Sequence, residues 1–105
     1  MNPHAPRFTV GGVGFFPAHF KRMIATAEDR GIRTLLVEVL RELMENLETR
    51  PRDWGDPYTN YRGLNAVGYG RTILSAQIRA EYLVHNSEPL VWISALYPLS
   101  GSPFA

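Results

Sequence analysis

Proton transfer near neutral pH needs a group that titrates there, and of the three histidines in this chain, His4, His19 and His85, only His85 lies outside the N-terminal third. There is no cysteine, hence no disulfide, no thiolate metal site and no cysteine nucleophile. Gly11-Gly12-Val13-Gly14 ahead of a helix invites comparison with a phosphate-binding loop. The P-loop pattern needs a Gly-Lys-Ser/Thr that is absent, and the dinucleotide fingerprint needs a third glycine where Pro17 stands. The stretch reads as a flexible turn or a bulge at a strand end. No motif here carries chemistry by spacing alone, and none calls for a cofactor or a metal.

The elements that would position any site centre on a hairpin. Ile78, Ala80, Tyr82 and Val84 alternate with Arg79, Glu81, Leu83 and His85, the period of a strand with one buried face. Asn86-Ser87-Glu88-Pro89 supplies a polar turn, and Leu90 to Tyr97 resumes as a strand with almost no polar side, expected to lie centrally and to be covered on both faces. Upstream, Arg7 to Val10 reads as a short first strand. Pro17 suits the first turn of a helix and Gly31 its end, so Phe16, Phe20, Ile24 and Ala27 predict a helix over 17–30.

Leu35, Leu36, Val39, Leu40, Leu43, Met44 and Leu47 form a stronger stripe, predicting a second helix over 32–48. Leu40, Leu43 and Leu47 are expected to face the sheet. Helices separated by one or two breaker residues pack as an α-hairpin. The stripe is short for a coiled-coil seam, although a homodimer stays open. Trp54, inside the proline- and glycine-rich loop 50–57, is read as a plug closing the core, with an exposed recognition residue as the alternative. Tyr58 to Val67 reads as one middle strand broken by Gly68-Tyr69-Gly70, followed by a wide connection over 71–76.

With 105 residues, 45% of them hydrophobic and 20% charged, the chain lies in the globular range as one domain over 1–105. A formal charge of +1 excludes a global basic field for phosphate-backbone binding. Eight of the ten acids fall between Glu28 and Asp56, whereas from Tyr58 onward three arginines face Glu81 and Glu88, so the sheet half is slightly more basic. The N-terminus does not read as a signal peptide and no apolar run reaches membrane-span length, so a cytoplasmic protein with no membrane partner is expected.

The element order and loop chemistry resemble the RelE/ParE toxin superfamily. The matching residues are the leucine-striped helix ending in Leu47-Glu48-Thr49-Arg50-Pro51, then Gly55-Asp56-Pro57, the Arg62/Leu64 strand, and the hairpin with Tyr82-Leu83-Val84-His85 followed by Val91-Trp92-Ile93. The resemblance implies an α+β fold: a short N-terminal strand and an α-helical hairpin packed on an antiparallel sheet of about four strands. It further implies a toxin of a toxin–antitoxin system, neutralised by an antitoxin protein or peptide. Some members cut messenger RNA on the ribosome, and others poison DNA gyrase.

Carried over by position, Arg62 and Arg79 become the cations that stabilise a pentavalent phosphate, His85 the titratable base and Tyr97 the terminal aromatic. Each has a second reading. Arg79 reads also as a strand residue paired with Glu81 or Glu88, His85 as a turn cap, and Tyr97 as a core anchor. The eight residues after Tyr97 hold no basic side chain, which departs from the nuclease pattern. Two functions from different classes therefore stand, a toxin-like protein acting by binding a macromolecular target and a ribosome-dependent endonuclease. A domesticated binding domain of the same fold is a third.

Overall fold

The computed structural model describes residues 7–105. β1 (Thr9–Gly12) leads into α1 (Phe16–Arg30) and α2 (Arg33–Thr49), and a one-turn helix, α3 (Pro51–Trp54), precedes β2 (Asp56–Tyr61). A 3-10 turn (Arg62–Leu64) then separates β2 from β3 (Ala66–Ile73), which is followed by β4 (Ile78–His85) and β5 (Leu90–Pro98). The sheet order is β1-β5-β4-β3-β2, antiparallel except that β1 runs parallel to β5. The helical hairpin is the crossover that a parallel pair requires.

Local chemistry accounts for the helices. Pro17 occupies the first turn of α1, where its missing N–H costs nothing, and Gly31 ends the helix at φ 68°, a left-handed conformation that a residue with a Cβ resists. Leu36, Val39, Leu43 and Leu47 are the buried stripe of α2. With Met23 and Ala27 of α1 they pack on Tyr69, Ile73, Ile78, Ala80, Tyr82, Val84, Val91, Ile93 and Leu96 in one core. Leu43 and Leu47 are buried as expected and Leu40 is half-buried at the margin. Trp54 is buried and stacks on Tyr82 at a 6.0 Å centroid distance, so it does plug the end of the core. It does so from α3 rather than from an irregular loop. No helix is long and apolar enough to cross a membrane among the described residues.

Four sequence expectations change. The sheet has five strands, because the middle strand divides, and it is mixed, because β1, which continues into the glycines read as a turn, pairs parallel to β5. The single middle strand is two strands, with Gly68 and Gly70 inside β3 rather than breaking it. Arg71 to Ile73 extend that strand, leaving a four-residue turn over 74–77 instead of a wide connection. β5 is interior, between β1 and β4, but the helices cover only one of its faces, and Leu90, Trp92, Ser94 and Tyr97 are partly exposed.

Candidate functional site

The face of the sheet opposite the helices carries no helix among the described residues. Strand alternation places Arg79, Glu81, Leu83 and His85 of β4 on it, with Trp92, Ala95 and Tyr97 of β5 beside them. Gly68, Gly70 and Thr72 are the β3 residues paired with Leu83, Glu81 and Arg79. The two glycines are there for space. A Cβ on Gly68 would lie 2.8 Å from the Tyr61 ring and 3.0 Å from the Tyr58 ring, and one on Gly70 would run into the Arg79 guanidinium. Glycine in a strand thus marks close approach, here of side chains from the flanking strands laid across β3. An irregularity in register between Pro57 and Thr59 releases Tyr58 from simple alternation.

The result is a polar and aromatic cluster. Tyr97 is directly opposite Arg79, and its hydroxyl donates to Glu81 Oε2 at 3.4 Å. Arg79 Nε lies 3.8 Å from the same oxygen. Burial raises the Tyr58 phenol far above the usual tyrosine range, helped by a hydrogen bond to Tyr61 and the Glu81 charge and opposed by Arg79. Burial also raises Tyr97, with the Glu81 charge acting in the same direction. Both phenols are therefore neutral hydroxyls at physiological pH. Chemically, the cluster offers one guanidinium, one carboxylate and neutral hydroxyls, with the Tyr58 and Tyr61 rings exposed.

Arg79 and Tyr97 come together, while His85 and Arg62 do not join them. His85 is six residues along β4 from Arg79, about 20 Å at strand spacing. Its Nδ1 accepts the Ser87 N–H at 3.2 Å and the Glu88 N–H at 2.9 Å, and its ring stands edge-on to Trp92. The turn-cap reading of His85 is the one its contacts show. Arg62, expected on a strand beside Arg79, is exposed on the 3-10 turn instead. Asn65, which ends that turn, accepts the Asn86 N–H, so Arg62 belongs to the His85 end of the sheet.

Glu81, Tyr58 and Tyr61 are the members that sequence reasoning did not place in the site. For Glu81 the signal was present, since residues two apart on a strand share a face and Glu81 had been named as a partner for Arg79. For Tyr58 there was none, because its approach depends on the bulge and on two glycines in another strand. Among the described residues no three metal-ligating side chains converge.

At the Tyr97 end, β5 outruns β1, whose pairing stops at Ile93. The Leu96 N–H finds its acceptor on α1, at His19 Nδ1, 3.2 Å away. That assigns the proton of neutral His19 to Nε2. The His19 ring stacks on Phe15 and meets Tyr97 edge-on at a 5.9 Å centroid distance. His19→Ala should strip the acceptor from a main-chain donor in a buried residue and cost about 1–3 kcal/mol. Chemical denaturation reads this directly, and an unchanged midpoint would contradict the pairing. Set against known protein families, curated proteins and solved structures, the chain matches none of them.

Proposed function

We propose that the protein is a toxin-like binding domain of RelE/ParE type that seats a macromolecular target on the open face of its sheet and is neutralised by an antitoxin segment. The observation that carries this is the furnishing of that face. A sheet side with no covering layer is normally polar, yet here Tyr58, Tyr61, Trp92 and Tyr97 share it with Arg79 and Glu81. Partly exposed aromatic and arginine side chains held by their neighbours are what a recognition surface needs. Room for the antitoxin exists on the other side, where Ile24 and Val37 remain exposed along the groove between α1 and α2. Action in the cytoplasm follows from this reading.

Induced expression of the intact chain in a bacterial host should slow growth, and a Tyr58→Ala/Tyr97→Ala double variant at the same soluble level should not. Normal growth with abundant folded parent protein would sink the toxin reading.

The endonuclease alternative has one observation in its favour, the Arg79–Tyr97 pairing beside the Glu81 carboxylate. Against cleavage of free RNA stands the separation of His85 from that pair. A free oligoribonucleotide incubated with the protein in a metal chelator should stay intact. Cleavage lost in both Arg79→Ala and His85→Ala, with folding retained, would restore the two-group nuclease.

A further inference from the structure

We propose that His19 is an acid-released latch between α1 and β5: its neutral ring ties the two together, and a proton taken up by that ring undoes the tie. The contact joins distant parts of the chain, since its partners are 77 residues apart in sequence. β1 stops pairing with β5 at Ile93, and the last main-chain bonds from this end of α1 run from Val13 to Ile93 and from Phe15 to Ser94. Beyond them the Leu96 N–H has no strand to meet, and His19 Nδ1 stands in as acceptor at 3.2 Å. Leu96 itself has no accessible surface, so loss of that acceptor is felt in the fold.

A neutral imidazole has one donor nitrogen and one acceptor, whereas an imidazolium has two donors. A proton from solvent on Nδ1 therefore sets one N–H against another. Imidazole is the side chain that makes this change between about pH 5 and 8. No carboxylate holds the charged ring in place, since among the described residues none lies within ion-pair distance of His19. Arg22 on α1 borders the same cavity with a like charge. Tyr97 on β5 meets the ring edge-on, and the Glu81 carboxylate and Arg79 guanidinium of β4 lie beyond its hydroxyl. A cavity of about 30 Å³ beside the ring gives it room to turn once released. The unfolded chain takes the same proton without losing a bond, so the latch weakens as pH falls.

His85 supplies the contrast. Its Nδ1 also accepts main-chain N–H groups, but from Ser87 and Glu88, two and three residues away in an exposed turn. The Glu88 carboxylate belongs to that turn, and Arg52 of α3 donates to the His85 carbonyl. Protonation there loosens a turn, whereas at His19 it parts a helix from the sheet. Global stability would add the two, so the test has to be local. The device stands whether or not the open face binds a target.

Amide hydrogen exchange at Leu96, followed by NMR on the full chain, provides that test. Its protection should fall about tenfold between about pH 7.5 and pH 5.5, the effect of losing one ordinary hydrogen bond. Asparagine can place its side-chain oxygen where histidine places Nδ1, and it does not titrate, so His19→Asn should keep the protection nearly level over that range. His85→Asn should leave the fall in place. Equal Leu96 protection at both pH values in the parent overturns the inference, and so does a His19→Asn variant that loses protection as the parent does. A fall that disappears in His85→Asn would put its cause at the turn and overturn it too. Should His19→Asn fail to fold, the parent decides alone: the His19 ring-nitrogen shifts and the Leu96 amide shift should follow one titration curve, and unrelated curves would rule the latch out.

Discussion

Leu43→Ala is expected to lower stability by about 2–5 kcal/mol, the range for truncating a fully enclosed leucine. Leu43 has no accessible surface and sits mid-stripe on α2, facing the sheet. Neighbours on α2 and the strands are held by their own helix and ladder, so they close the vacated space only partly. A domain of this size holds roughly 5–15 kcal/mol in total, so the loss is a large share of it. Chemical denaturation should show a lower midpoint with an unchanged slope. An unaltered melting temperature would mean that α2 does not cover the sheet as described.

Tyr82→Ala should cost as much or more, about 3–5 kcal/mol by analogy with other aromatic truncations. The ring is fully buried between Tyr69, at a 5.5 Å centroid distance, and Trp54. Its hydroxyl donates to the Pro51 carbonyl at 2.6 Å, tying β4 to α3. Gly55 makes room for this contact, since a Cβ there would lie 2.5 Å from the phenol oxygen. Tyr82→Phe isolates the hydroxyl and should cost about 1–3 kcal/mol, because it orphans a buried carbonyl.

The same residue gives the fold an alkaline limit. Burial pushes the Tyr82 phenol from its ordinary 10.0 up to about 12, with the Gly55 N–H opposing the rise. A pKa higher in the folded chain than in the unfolded one means that the neutral phenol supports folding fully below pH 10 and loses that support as pH rises toward about 12. Urea titrations across this window should show the parent losing stability faster than Tyr82→Phe. Parallel curves would contradict the linkage.

Within the site, period-two alternation was enough to put Arg79 and Glu81 on one face and to set His85 far from Tyr97, because strand geometry is local and regular. It did not reveal that Arg62 leaves the strand, since a 3-10 turn between β2 and β3 has no apolar period to announce it. Nor did it reveal Tyr58 as a site residue. The pattern Gly68-Tyr69-Gly70 reads as a breaker in isolation and becomes intelligible only when rings from β2 and a guanidinium from β4 are seen to need that space. The expectation that β5 is covered on both faces failed similarly. Its second apolar face comprises Trp92, Ala95 and Tyr97, which join a partly exposed surface instead of a second layer of helix.

From the sequence alone came both helices to within a residue or two at their ends, the β4–β5 hairpin, the buried leucine stripe and the plugging role of Trp54. Those features follow from side-chain periodicity, capping glycine and proline geometry, and each is written within about twenty consecutive residues. Tertiary structure decided the parallel docking of β1 on β5, the continuity of β3 through its glycines, and the meeting of Tyr58, Tyr61, Arg79, Glu81 and Tyr97. The first joins opposite ends of the chain, and in the other two the space one side chain leaves for another cannot be seen until the strands are laid side by side.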